Sequence, residues 1–162
     1  MTDTNDTAKL WDMISSIEYA MMVTEDGGTL RGRPMATSQT EFDGTLWFFT
    51  RPSSHKVSEV LQDQRVCLAY AHPGKQNYVS VSGTAKLVRD PAAIAQHWSE
   101  PLRTWFPKGK DDPDLGLLAV KVQQAEYWDA PSSTMLHAYG YLKSALTGVP
   151  PDPGGHGKVA LA

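Results

Sequence analysis

Apolar residues recur along this chain with two different periods. Leu10, Met13, Ile14 and Ile17 stand at i, i+3, i+4 and i+7, which predicts a helix with one apolar face, capped by Asp6 or Thr7. From Ile17 to Thr24 the pattern turns strand-like. Glu25-Asp26-Gly27-Gly28 is a turn, and Leu30 to Gln39 reads as the returning strand of a hairpin. Asp43-Gly44 marks a second tight turn before an aromatic strand, Thr45 to Thr50. Arg51-Pro52-Ser53-Ser54 stops that strand, and a short helix follows with Val57, Val60 and Leu61 toward the core. Arg65 to Ala71 alternates, with Val66, Leu68 and Tyr70 on one side, and ends at His72-Pro73-Gly74. Tyr78 to Val88 is a long strand with Val79, Val81, Ala85 and Leu87 facing one way.

Asp90-Pro91 is an N-cap with proline at the first helical position, and opens a helix through about Trp98. Pro101 to Pro113 reads as a loop with a broken helix, and Leu117 to Trp128 as the last strand. Pro131-Ser132 opens a final helix whose Met135, Tyr139, Leu142 and Leu146 repeat at helical spacing. The result is a mainly β chain of roughly six strands with short flanking helices, and hairpin links imply antiparallel pairing. Such a sheet loses its exposed edges by curling into a small barrel; an open α+β sandwich is the competing architecture. Residues 1–9 are expected to be a flexible N-terminus, 10–148 the folded domain and 149–162 a flexible tail rich in proline and glycine.

A length of 162 residues suits one core. The net charge of −3 and the lack of a lysine/arginine cluster argue against a general nucleic-acid partner. No apolar run approaches the roughly 20 residues that span a bilayer, and no basic, apolar leader precedes the helix. With a single cysteine, Cys67, which reads as a buried apolar residue, these features favour the cytoplasm and no membrane partner. The five histidines lack metal-site spacing, and Asp111, Asp112 and Asp114 lack the glutamate that closes a calcium loop. No glycine-rich dinucleotide fingerprint or P-loop is present. Any phosphate must therefore be held by side chains and a helix start.

Three segments carry candidate chemistry. In Arg31-Gly32-Arg33-Pro34-Met35, alternation places Arg31, Arg33 and Met35 on one face. Two guanidiniums so placed repel unless solvent or an anion lies between them, and arginine's planar fork suits a phosphate. Pro34 assigns this strand to an edge or bulge. Two solvated surface arginines are the plain alternative. In Trp47-Phe48-Phe49-Thr50 followed by Ser53-Ser54-His55-Lys56, a strand ends, hydroxyls fill a turn, and a helix begins with a lysine in its first turn. That cation opposes the helix dipole, so it makes sense beside an anion, or else simply as a side chain reaching solvent. Glu126-Tyr127-Trp128-Asp129 offers either a core aromatic pair at a strand end or a flat side chain for a ring system.

Taken in order, R-x-R-P-M, F-F-T, S-x-K and the late E-Y-W-D resemble the split-barrel flavoproteins related to pyridoxamine 5′-phosphate oxidase. Trp105-Phe106-Pro107-Lys108-Gly109 and Asp112-Pro113-Asp114-Leu115 extend the likeness to the general stress protein 26 group, over roughly Leu10 to Leu146. The resemblance implies a six-stranded antiparallel split β-barrel that binds FMN. It implies that Arg33, Pro34 and Met35 line the flavin and approach its phosphate. Phe49 and Thr50 would meet the isoalloxazine and ribityl-phosphate, and Ser54, His55 and Lys56 the phosphate, although the family often has arginine where His55 stands. Tyr78 takes the place of a flavin-contacting glutamine, Trp105 lies in a family segment near the cofactor, and Trp128 is the tryptophan supplied by the partner subunit. Family members are typically homodimers with two flavins at the interface.

The implied activity is FMN-dependent electron or hydride transfer with a small-molecule donor or acceptor that the sequence does not name. No side chain is assigned as a catalytic acid or base. A non-catalytic flavin carrier or sensor, or a split barrel holding a deazaflavin or haem, are the alternatives. The oxidases end in an arginine- and histidine-containing motif for the substrate phosphate. Here Ser132-Ser133-Thr134-Met135-Leu136-His137 lacks the arginine, so efficient pyridoxamine-phosphate oxidation is not expected.

Overall fold

Strand alternation and two amphipathic helices build most of the molecule. The computed structural model describes residues 4–129, 134–150 and 155–161, without the side chains of 134–140. The strands are β1 (Tyr19–Asp26), β2 (Thr29–Ala36), β3 (Thr45–Thr50), β4 (Arg65–His72), β5 (Asn77–Val88), β6 (Gly116–Asp129) and β7 (Gly155–Ala160). The helices are α1 (Thr4–Ile17), α2 (His55–Gln62), α3 (Pro91–His97) and α4 (Thr134–Thr147). All strand pairs are antiparallel. The order is β2-β1-β4-β5-β6-β3, with β7 also on β6.

The sheet curls into a half-barrel, the split-barrel architecture read from the sequence. Its 14-residue strand β6 serves two partners end to end: Gly116–Lys121 pairs with β3, and Gln124–Asp129 with β7. A bulge opposite Ser82/Gly83 leaves Gln123 of β6 without a partner on β5 and bends β6. A Cβ on Gly83 would lie 2.4 Å from the Lys121 carbonyl oxygen, so only glycine allows this close approach. The seam between edge strands β2 and β3 is stitched beyond the end of β2. Ser38 N–H donates to the Trp47 carbonyl at 3.0 Å. The Gln39 amide accepts from Trp47 N–H at 2.8 Å and donates to the Thr45 carbonyl at 2.9 Å, standing in for a strand backbone.

The inner face of the sheet carries Met22, Leu68, Tyr70, Val79 and Val81, closed by Leu10, Met13 and Ile14 of α1. A second, smaller cluster holds Phe49, Ile94, Leu115 and Leu117, with Trp98 and Phe106 packed on it. Strand β3 serves both clusters: Leu46 and Phe48 face the first and Phe49 the second.

Several expectations are corrected. The N-terminal segment expected to be flexible is helical from Thr4. Lys9 pairs with Asp129 at 2.7 Å, and the Tyr127 hydroxyl donates to Asp6 at 3.0 Å, so partners far along the chain order it. The tail likewise supplies β7, because the C-terminal half of β6 has an edge to fill and Val159 is buried in the core. Gly157 permits that pairing, since a Cβ there would meet the Tyr127 ring at 2.5 Å. Periodicity assigns Leu61 to the buried face of α2, yet it is 69% exposed, and Glu59 is buried there instead at 3%. Cys67 sits half-buried on the outer face, opposite to Leu68. In α4, Leu142 and Leu146 are exposed; the side chains of Met135 and Tyr139 lie outside the described residues.

Candidate functional site at the start of helix α2

Helix α2 starts where β3 ends, and β2 lies across from it. Ser54 is the N-cap by backbone geometry (φ −75°, ψ 151°), yet its hydroxyl makes no cap hydrogen bond. It lies 3.4 Å from the hydroxyl of buried Thr50. The first N–H groups of a helix have no intrahelical acceptor, so an idle cap leaves donors for something else.

Arg33 reaches this corner from β2. Its register partner Met22 is in the core, which places Arg33 on the inner face, as alternation predicts. Arg33 Nη2 donates to Glu59 Oε2 at 2.6 Å, and Nη1 to Thr24 Oγ1 at 2.6 Å. Arg31 Nη1 donates to Glu59 Oε1 at 3.0 Å and to the exposed Asp26 at 3.1 Å. The Thr24 hydroxyl completes the set by donating to Glu59 at 2.5 Å. Lys56 is half-buried, and among the described residues no carboxylate forms an ion pair with it. Burial, and then the nearby Arg33 guanidinium, hold its ammonium below the ordinary lysine range, against the pull of Glu59.

The loop that presents these groups is braced from the far side. Ser53 donates from its hydroxyl to Asp114 Oδ2 at 2.6 Å and from its backbone N–H to Oδ1 at 3.2 Å. Those bonds hold the Asp114 carboxyl below its usual range. Arg51 pairs with Asp112 at 3.5 Å and lies over the Phe106 ring. The aspartate cluster is therefore a loop brace, and no group of potential metal ligands occurs among the described residues.

The remaining sequence candidates are placed as follows. His55 is exposed on the first turn of α2. Pro34 is exposed, and Met35 is buried in the main core. Phe49 turns away from Thr50 and meets Trp98 edge-on at 5.7 Å. Tyr78 and Trp128 are direct register partners on the outer face, 39% and 38% exposed, and Trp128 stacks on His156. Trp105 is 68% exposed. Arg33, Thr50, Ser54 and Lys56 thus come together within one chain, whereas Tyr78, Trp128 and Trp105 do not join them. Residues 130–133 and the His137 side chain, where the oxidase motif is missing, lie outside the described residues.

The sequence reading missed Glu59, Thr24 and one cavity. The available signal for Glu59 was its position three residues after Lys56, one turn along the same helix. The cavity, about 630 Å³, opens at the other end of β3 and is lined by Tyr19, Thr37, Trp47, His97, Trp98 and Trp105, among others. Its rim carries Glu18, Glu41 and Asp43 and no lysine or arginine. His97 stacks on Trp47 at 4.7 Å, and burial lowers its pKa against the opposing pull of Asp43.

A family model described as pyridoxamine 5′-phosphate oxidase like matches residues 5–152. Protein bli-3 of Neurospora crassa is 28% identical over 152 residues, covering 87% of this chain and 73% of that protein. The crystal structure of a general stress protein 26 from Jannaschia sp. CCS1 superposes with a TM-score of 0.78 at 26% identity, over 98% of this chain and 100% of that one. The general stress FMN/FAD binding protein of Xanthomonas citri superposes with a TM-score of 0.69 at 31% identity, over 77% and 89%. With the split-barrel sheet and the motif order from β2 to β6, these likenesses place the chain in the pyridoxamine 5′-phosphate oxidase like family, in its general stress protein 26 group.

Proposed function

We propose that this protein binds FMN by its phosphate at the start of α2 and works as a flavin-dependent oxidoreductase, as a cytoplasmic homodimer. The observation that carries the reading is Lys56: a half-buried ammonium with no carboxylate partner among the described residues, beside Arg33 and above an unused helix cap. Cations and hydroxyls gathered in excess of the carboxylates beside them are what a phosphate monoester requires. Arg33 spends two contacts on Glu59 and Thr24, and a guanidinium carries five donors, so it retains donors for a ligand. The cavity beside Trp105 is a poorer place for phosphate, since its rim is acidic. The Xanthomonas citri relative is described as binding FMN or FAD, and the family likeness supports a flavin here.

A bound flavin supplies electron or hydride transfer at its own ring. The chain's part is to anchor the phosphate through Arg33, Thr50, Ser54 and Lys56. A partner protomer's Trp128 or Tyr78 would cover the ring, which fits their exposure on an outer face that also bares Tyr19 and Met21. Titration of the apoprotein with FMN and riboflavin tests the anchor: FMN should bind more tightly, and equal affinities sink the reading. Light scattering of the flavin-loaded protein tests the dimer, for which a monomer binding one flavin each is the contrary result. Oxidation of the reduced, loaded protein by added acceptors, followed by the flavin spectrum over repeated cycles, separates an oxidoreductase from a carrier that never turns over.

A further inference from the structure

Glu59 is the buried carboxylate of this corner, and it is nearly inaccessible. Its carboxylate is 3% exposed and accepts from Arg31, Arg33 and Thr24, so both oxygens are occupied by the chain itself. A buried carboxylate is costly unless it is paired, and a buried guanidinium equally so. Arg33 is 19% exposed, and Lys56 lies close enough for each of the two to act electrostatically on the ammonium. Arg31 and Asp26 form an ion pair, 51% and 44% exposed, so they offset each other and water screens both. Arg33 and Lys56 then have Glu59 between them, which leaves one positive charge, and the unfilled start of α2 adds about half a charge more. A phosphate monoester carries about −1.5 to −2 charges at neutral pH, which is close to that surplus.

We infer that Glu59 is an internal counter-ion that sets the charge of this corner to that of a phosphate monoester. In the empty protein it keeps Arg31 and Arg33 paired and in place. In the loaded protein it offsets the cation that the phosphate does not need. The inference rests on the reading of this corner as the phosphate anchor.

The test compares the full-length protein with Glu59→Gln and with Glu59→Gln/Arg31→Gln, which removes one charge of each sign. FMN and riboflavin are titrated at low and high salt, and melting is followed with and without FMN. Glu59→Gln should bind FMN about tenfold more tightly at low salt, a gain of about 1.4 kcal/mol, with riboflavin affinity unchanged. Its FMN affinity should fall more steeply with salt. Its flavin-free form should melt lower, and FMN should raise its melting point more than in the natural protein. The double variant should return FMN affinity and salt dependence to within about threefold of the natural values, a difference of under 1 kcal/mol. FMN affinity that is unchanged or weaker in Glu59→Gln overturns the inference, because Glu59 would then only position the arginines. If that variant does not fold, the double variant decides, and its failure to fold or to regain FMN affinity overturns the inference equally. A natural protein that does not prefer FMN to riboflavin overturns the phosphate reading beneath it.

Discussion

The two ends of β3 lead into opposite environments. At Thr50 the strand delivers the chain to α2, where Arg31, Arg33 and Lys56 gather around one buried carboxylate. At Trp47 it borders an aromatic cavity rimmed by Glu18, Glu41 and Asp43, with no lysine or arginine in its lining. The aromatic cavity is thus the end less able to take a phosphate. Volume locates space, but charge decides which ligand end can occupy it. The difference also teaches what a ligand meets at the cationic corner: side chains already engaged with one another, a network to which it would add at the helix start.

The sharpest way to break this contrast is to remove one cation. Lys56→Ala and Arg33→Ala should each cost about 1.5–3 kcal/mol in FMN affinity, roughly 10–150-fold, with a much smaller effect on riboflavin. Trp98→Leu, which alters the cavity wall, should leave the ratio of FMN to riboflavin affinity unchanged. Fluorescence titration reads both, and a cavity variant that lowers the ratio would move the phosphate to the other end of β3.

Gln39 sharpens the contrast structurally, since its amide closes the barrel seam beside the cavity through two hydrogen bonds to β3. Gln39→Ala should cost about 1–3 kcal/mol of stability by denaturant unfolding, from two bonds of ordinary strength. Its effect on FMN discrimination should be slight, because the seam lies at the far end of the strand.

The smallest effects expected are in pH. Lys56 has a lowered pKa in the folded, flavin-free protein, so the unfolded chain holds the proton more tightly. Stability should therefore rise with pH between that lowered value and the ordinary lysine value of 10.5, and Lys56→Met should abolish the rise. His97, at the other end, also has a lowered pKa. There the stability is present above the ordinary histidine value of 6.5 and is lost as pH falls through it toward the folded value. Melting against pH should show a small acid-side loss that His97→Asn removes and that Lys56→Met leaves intact.

The alternation of Val66, Leu68 and Tyr70, the apolar turn of Leu10, Met13 and Ile14, and the Asp90-Pro91 start all appear as read, because each depends on neighbours within a turn or strand of itself. The convergence of β2 with the start of α2 was also legible, through the order of the motifs. The same alternation separates Phe49 from Thr50, since adjacent strand residues face opposite ways. Leu61 and Glu59 show the limit of periodicity. An apolar residue two positions from a glutamate claims the buried face on hydropathy alone, and the arginines that reverse the choice lie 26 and 28 residues away.

Local sequence by itself determined where β1 to β6 and the helices between them form, because backbone preference and hydrophobic period act over a few residues. It also determined that any phosphate would have to meet side chains and a helix start, since no glycine-rich loop is present. Only the tertiary structure decided that the chain is helical from Thr4, that the tail adds a strand to β6, and that Glu59 sits between two arginines. Each of those outcomes depends on a partner supplied from far along the chain: Asp129 for Lys9, the open edge of β6 for Val159, and Arg31 with Arg33 for Glu59. The energy of a charge or a strand edge is set by what the fold places against it, and that placement exists only once the sheet has curled.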